Sequence, residues 1–459
     1  SKMYRNDVRC SDCHEVHSAK LVKEGNDLCL QCHRSAEYDV AEHHFHKQEG
    51  DAGDPIRSHQ GEVLFEVGTG SQCVQCHMPG RYYMGNDYRP DHSFRIPNPA
   101  LNAAIGSPDA CLRCHVDQDT QWSQQAVTEW YGPGRKAHYG TVIARGRNHE
   151  TGAAQDLVRL AGDVLYPANV RATALSLLSV YPGAESQRVM ELALADEEAL
   201  IRNTAVIHIQ AESPQNLLKL ISPLLYDPVK SVRIEVARRL VGDPSSLIPP
   251  ELTAKFDTAM AELEASMLYS ADFASSRHNL ANHYGRLGRV EDAIHQDEEA
   301  LRSDDQFYPA TANLAVLDRQ NGRHQEAETL LRSALEKQGD LYDLAYSLGL
   351  LLAEQQQYEE AVTYLEQAAN GLPDRARIHY NLGLLYQFLH DYFEAERSLA
   401  HAMALEPGNL QFQYALSEHY LKSGQFEAAR PIVEEMIKTH PENPVGVQMM
   451  EFIQRNTPQ

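Results

Sequence analysis

No cysteine follows Cys114 in this chain of 459 residues. Everything beyond that point therefore has no disulfide, thiolate metal site or cysteine nucleophile. No apolar run approaches the roughly 18 residues of a membrane span. Cations are also scarce: 41 Lys and Arg stand against 64 Asp and Glu, a net charge of −23. That balance excludes the basic face needed for nucleic acid and attraction to an anionic membrane surface. No secretory signal is visible. The chain begins at Ser1 rather than Met, so we expect an exported protein whose signal has been removed. A lipid-anchored form would begin at a modified cysteine, and this one does not.

What is present is unevenly distributed. All eight cysteines lie before residue 115, and 12 of the 22 histidines lie before residue 150. Residues 1–140 carry 14 cations and 19 anions; the remainder carries 27 and 45. The chain is a cysteine- and histidine-rich head on an acidic, cysteine-free body. Its length allows about three domains at roughly 150 residues each.

The eight cysteines form four identical patterns with none left over: Cys10-Ser-Asp-Cys13-His14, Cys29-Leu-Gln-Cys32-His33, Cys73-Val-Gln-Cys76-His77 and Cys111-Leu-Arg-Cys114-His115. Cys-x-x-Cys-His is the attachment sequence of c-type haem. Two cysteines three apart lie on one side of a helical turn and can form thioethers to the two vinyl groups of one porphyrin. The histidine that follows then lies beneath the ring as proximal ligand. Zinc or a redox dithiol could use paired Cys-x-x-Cys, but neither requires a histidine after every second cysteine. We expect four covalent haems c. Porphyrins would then be the apolar core of a head that has few aliphatic residues of its own.

Eight further histidines precede residue 150: His17, His43, His44, His46, His59, His92, His138 and His149. Four are needed if every iron has two. His17 lies one turn beyond His14, too near to reach across its own ring, so it would serve a neighbouring haem. Within Glu42-His43-His44-Phe45-His46 we favour His46, with His43 as the alternative. His92, in Arg89-Pro-Asp-His-Ser-Phe-Arg, could be oriented through its other nitrogen by Asp91 or Ser93. His138 completes the expected distal set, and His59 and His149 are read as surface residues. Met78 is badly placed beside a proximal histidine, and Met84 reads as packing. Bis-histidine ligation implies low-spin irons of low potential.

The stretch from Cys10 to His33, with its His14/His17 step, resembles the paired units of multihaem cytochromes c. The stretches CVQCHMPGRYYMGNDYRPDHSFRIPNP, from Cys73, and SPDACLRCHVDQDTQWSQQAVTEWYGPGRKAHYG, from Ser107, resemble bacterial tetrahaem cytochromes that continue into helical repeats. That resemblance implies a closely spaced haem wire and electron transfer.

The body is read as helices. Arg171, Arg202 and Arg233 recur at a constant spacing within similar apolar segments, with Asp196 and Asp227 placed to cap the helix or its turn. This is a HEAT-like pattern. Further on, Ala293, Ala327, Ala361 and Ala395 recur every 34 residues, as does the column Ala281, Ala315, Gly349, Gly383 and Ser417. Small residues at that period, with Tyr284, Tyr386 and Tyr420 and with Pro373, Pro407 and Pro441 near the repeat ends, resemble tetratricopeptide repeats.

The expected fold is therefore mostly α: a haem-packed tetrahaem domain with little regular structure over 1–145, then an α-solenoid. Its parts are HEAT-like repeats over 146–250, a connecting helix over 251–273, five tetratricopeptide repeats over 274–443, and a capping helix and tail over 444–459. The expected function is extracytoplasmic electron transfer, periplasmic or extracellular, with the repeats docking redox partner proteins. Alternatives are a subunit of an electron-conducting filament and a multihaem reductase of a small nitrogen or sulfur oxyanion. The expected excess of candidate ligands favours a carrier over an enzyme.

Overall fold

A computed structural model describes residues 3–58 and 60–456, with the side chains of Arg5 and Asp243 outside the description. His59, read above as a surface residue, lies outside the described residues. The chain divides into two compact units, one ending at Gln210 and the other beginning at Ala211.

The first unit opens with single helical turns at Asp27–Leu30, Ser35–Tyr38, Ala41–His44 and Cys73–His77. Two small antiparallel hairpins join them: β1 (Ile56–Arg57) with β2 (Val63–Phe65), and β3 (Gly80–Tyr83) with β4 (Asp87–Pro90). Little of this part is buried. Among the described residues the first buried apolar side chains are Pro99 and Val127, too few for the head to have an apolar protein core of its own.

Longer helices then take over: α1 (Pro99–Ile105), α2 (Thr120–Tyr131), α3 (Tyr139–Arg147), α4 (Ala153–Gly162), α5 (Ala168–Leu178), α6 (Ala184–Ala193) and α7 (Ala199–His208). Asp119 caps α2 by accepting from Trp122 N–H, and His138 caps α3 by accepting from Gly140 N–H. Helix α3 runs across residue 145, so the head passes into the helical region without a break. Leu157, Leu160, Leu175, Leu178 and Ile201 form the buried seam of this region.

The recurrent arginines have a defined job. Asp196 accepts from Glu198 N–H, and Arg202 donates to the Asp196 carbonyl at 2.7 Å. In the second unit Asp227 accepts from Val229 N–H, and Arg233 donates to the Asp227 carbonyl at 2.7 Å. One turn, closed by an aspartate at its start and an arginine at its end, is thus built twice.

The second unit begins with α8 (Pro214–Ile221), α9 (Lys230–Leu240) and α10 (Pro250–Leu268). Five helix pairs follow: α11 (Ala274–Arg286) with α12 (Val290–Ser303), α13 (Tyr308–Gln320) with α14 (His324–Lys337), α15 (Tyr342–Glu354) with α16 (Tyr358–Gly371), α17 (Ala376–Phe388) with α18 (Tyr392–Leu405), and α19 (Leu410–Lys422) with α20 (Phe426–Thr439). Helix α21 (Pro444–Asn456) ends the array. The small-residue columns lie where paired helices cross. Ala281, Ala293, Ala327, Ala361 and Ala395 are fully buried, and a Cβ on Gly349 would stand 2.8 Å from Leu365. The fold is a mostly α chain whose C-terminal part is a helical solenoid, preceded by a head with little regular structure. No described helix is long and apolar enough to cross a membrane.

Candidate haem-binding site

Each Cys-x-x-Cys-His segment closes as one helical turn. The backbone N–H of His14 reaches the Cys10 carbonyl at 2.8 Å, that of His33 reaches Cys29 at 3.1 Å, and that of His115 reaches Cys111 at 3.0 Å. Cys73–His77 is itself a helix. Two thiols and an imidazole are therefore presented on one side of a turn four times over.

The motifs are tied to one another. Asn26 accepts from Cys73 N–H at 2.8 Å while its amide donates to Asp39 and to the Ser71 carbonyl, joining the second motif to the third. Arg113, inside the fourth motif, donates to Gln75, inside the third, at 3.5 Å. Asp109 holds the fourth motif to α2: one carboxylate oxygen accepts from Cys111 N–H and the other from the Ser123 hydroxyl. A cavity of about 780 Å³ runs across this arrangement. It touches Cys29, Cys73, Cys76, Cys111 and Cys114 together with His33, His77 and His115.

Three motif histidines have a second histidine at one recurring distance. Ring centres are 6.2 Å apart for His14 and His92, 6.2 Å for His43 and His77, and 6.1 Å for His46 and His115. Two imidazoles bound through one nitrogen each, about 2 Å from a shared metal, stand about 6 Å apart between centres.

The tautomers agree with that spacing. Nδ1 of His14 lies 2.8 Å from the Ala19 carbonyl, Nδ1 of His77 2.8 Å from that of Arg95, and Nδ1 of His92 2.9 Å from that of Pro90; Nδ1 of His46 meets the His44 carbonyl. A proton on Nδ1 leaves the Nε2 lone pair free for a metal. Burial first, then neighbouring histidines, lowers the pKa of His43 and His115 and so favours the neutral, ligating ring.

Helix α2 backs these rings. Trp122 lies 4.7 Å from His115, and Trp130 lies parallel to Phe45 at 4.6 Å. The Tyr131 hydroxyl donates to the His43 carbonyl. Phe45 itself takes the left-handed conformation, with φ of 55°, and so turns the chain between His43 and His46.

The expected distal set is only partly assembled this way. His92 and His46 are each brought to a motif histidine, and His43 has its own partner in His77 rather than competing with His46. Among the described residues His17 and His138 make no ring contact with a motif histidine. His17 lies exposed on a turn whose Ser18 N–H and own N–H both bond Glu15. His138 uses Nδ1 to cap α3. His149 packs on Tyr181 at 5.7 Å. Sequence reasoning missed Asn26, Phe45, Trp122 and Trp130, which position the site without belonging to any motif. The adjacency of Phe45 to the histidine cluster was the one available signal.

The donor set suits porphyrins better than the alternatives. Among the described residues no three His, Cys, Asp or Glu side chains gather as they would around a bare ion. An iron porphyrin would need two further ligands from the protein, which such a histidine pair could supply. Burial pushes the thiols of Cys13, Cys76 and Cys114 up, and burial with Asp109 pushes Cys111 up to about 12. Redox dithiols depend on a depressed pKa; Cys73 has one, about 7, but through its hydrogen bond with Cys29 of another motif rather than within its own Cys-x-x-Cys pair.

Comparison with known proteins separates the two parts. The family described as a doubled CXXCH motif matches residues 3–38. Tetratricopeptide repeat families match residues 278–343, 349–387 and 389–450. No curated protein matches. Similar solved structures include MamA 41-end from Desulfovibrio magneticus RS-1, at 20% identity over 37% of this chain and 96% of that one, with a TM-score of 0.34. YrrB, a TPR protein with an unusual peptide-binding site, is 20% identical over 41% of this chain and 96% of its own, with a TM-score of 0.35. A tetratricopeptide repeat protein from Parabacteroides merdae ATCC 43184 is 18% identical over 40% and 73%, also at 0.35. The chain thus joins a paired haem-attachment motif of c-type cytochromes to tetratricopeptide repeats, whose usual use is protein–protein interaction.

Proposed function

We propose that this protein is an extracytoplasmic electron carrier. Four haems c are attached through Cys10/Cys13, Cys29/Cys32, Cys73/Cys76 and Cys111/Cys114, with His14, His33, His77 and His115 as proximal ligands. The helical repeats dock a protein partner. When bound, each haem supplies a one-electron iron centre; the protein sets its ligands, its exposure and its distance from the next.

The observation that carries this reading is the recurrence of one histidine–histidine spacing, 6.1–6.2 Å, at three of the four attachment motifs. His92, His43 and His46 are the second ligands of those irons. Links from the second motif to the third through Asn26, and from the third to the fourth through Gln75 and Arg113, support consecutive haems at short range.

The test is a haem count per chain by pyridine haemochrome on exported protein, followed by a potentiometric titration. Four thioether-linked haems with low potentials are expected. Protein that binds zinc through these cysteines, or that carries no covalent haem, overturns the proposal.

A further inference from the structure

Arg113 is the one lysine or arginine inside the four motifs. The residue before the second cysteine is Asp12 in the first, Gln31 in the second, Gln75 in the third and Arg113 in the fourth. The Arg113 side chain is half-buried and pinned. It donates to the Gln75 side chain at 3.5 Å and to the Tyr88 hydroxyl, and its guanidinium lies 5.9 Å from the centre of the Tyr88 ring. Strand β4 brings Tyr88 there. A Cβ on Gly80 would stand 2.5 Å from that ring, so the glycine lets β3 and β4 close over it.

Both bonds go to neutral partners and leave the positive charge uncompensated. Among the described residues no carboxylate pairs with Arg113. The acids beside the same two motifs face other donors: Asp109 accepts from Cys111 N–H and the Ser123 hydroxyl, and Asp39 accepts from the Asn26 amide. A half-buried charge is screened less by salt than an exposed one. The charge also acts in two motifs at once. At Cys76, in the third, and at Cys114, in the fourth, burial is the leading influence and raises the thiol, and the Arg113 charge opposes it.

Resting on the haem reading above, we propose that Arg113 sets the reduction potentials of the two haems carried by Cys73/Cys76 and Cys111/Cys114, raising both. Reduction adds one electron to an iron centre, and a fixed positive charge nearby stabilises the added negative charge. A cation shared by two motifs moves both potentials in the same direction. It makes the pair better electron acceptors without widening the step between them. Arg113 acts through space and ligates nothing. A purely structural tie between the motifs would depend on its hydrogen bonds instead of its charge, and substitution separates the two roles.

The experiment uses the exported full chain with its haems counted, and reads the potentials by a redox titration followed by absorbance and electron paramagnetic resonance. Arg113→Gln gives the fourth motif the sequence of the second, Cys-Leu-Gln-Cys-His, so haem attachment is expected to continue. Two of the four haems should become harder to reduce, each by about tenfold in its reduction constant, which is about 59 mV for one electron. Arg113→Met, a second neutral replacement, should lower the same two. Arg113→Lys keeps the charge but not the forked donor and should stay near wild type. Four attached haems whose potentials do not move in the neutral variants overturn the inference and leave the electron-carrier reading intact. So does a shift confined to one haem, or a shift in Arg113→Lys as large as in Arg113→Gln, which marks a structural tie. Loss of a haem from both neutral variants but not from Arg113→Lys places Arg113 in attachment and also overturns it. A chain without covalent haem sinks both readings.

Discussion

The rings of His43 and His77 stand 6.2 Å apart between centres, with planes only 14° from parallel, although a long stretch of sequence separates the two residues. Two residues further on, His46 reaches His115 in a different motif. Phe45, in the left-handed region, makes the turn that sends the two imidazoles to two different motif histidines. For a bulky residue that conformation costs roughly 1–2 kcal/mol, and the parallel stack on Trp130 offsets it. His43→Ala should therefore convert one low-spin haem of the oxidised protein to high-spin and add one carbon monoxide site per chain. His44→Ala should do neither. Spin integration with a carbon monoxide titration checks both.

The motif cysteines and the 34-residue columns were legible because both are local or periodic. A helical turn fixes where Cys, Cys and His point, and a repeat fixes where small residues meet. The distal histidines were not legible in the same way. Their partners are set by how the loops cross, and one-dimensional spacing carries no record of that. For His17, expected to serve a neighbouring haem, the chain turns on Glu15 and the ring lies exposed. His138, expected as a distal ligand, has its Nδ1 at the start of α3, where it accepts from Gly140 N–H. Asn26 was invisible because asparagine has ordinary uses everywhere.

Asn26 makes three hydrogen bonds between the second and third motifs. Asn26→Ala leaves Cys73 N–H and Asp39 without their partner, at a cost of about 1–3 kcal/mol for a part-buried site. The expected outcome is a lower melting temperature of the haem-loaded head, with all four haems still attached. Loss of the Cys73 haem alone would instead assign Asn26 to attachment.

Cys29 and Cys73 share a hydrogen bond, which raises the first thiol and lowers the second. They belong to different motifs. A thiolate beside a thiol is the pair most readily joined when an oxidant removes two electrons and the protons leave. Exported protein made without haem attachment should accumulate a Cys29–Cys73 disulfide. Peptide mapping under non-reducing conditions checks it; disulfides confined within the individual motifs would contradict it.

Gly383 sits where α17 crosses α18. A Cβ there would meet Leu399 Cγ at 2.7 Å and the Leu399 backbone nitrogen at 3.1 Å. Gly383→Val should cost about 1–3 kcal/mol by overpacking. Gly408→Ala, with nothing within 4 Å of its new methyl group, should be close to neutral. Denaturant unfolding of the two variants compares them directly.

Arg171 and Asp196 form the most enclosed ion pair of the first unit's helical region, with side chains 8% and 14% exposed and Nη2 2.5 Å from Oδ2. Burial alone would raise the Asp196 pKa. The bond from Arg171, the Glu198 N–H and the charges of Arg171 and Arg202 outweigh it and hold the carboxyl below its usual value. A carboxyl depressed in the folded state contributes stability that is present above the unfolded pKa, about 3.9. That contribution is lost as pH falls through the folded value. Wild-type protein should thus lose stability on acidification below about pH 4, and Asp196→Asn should lose less over the same interval, because its deficit is already present at neutral pH. At pH 7 the substitution leaves Arg171 buried beside a neutral amide, a loss on the order of 3–5 kcal/mol for one broken partner of a buried pair. Arg171→Met with Asp196→Leu removes both charges and should recover much of it. Melting curves from pH 7 to pH 3 for wild type, single and double variants decide the point: parallel pH profiles for wild type and Asp196→Asn would mean that this carboxylate does not govern the acid limb.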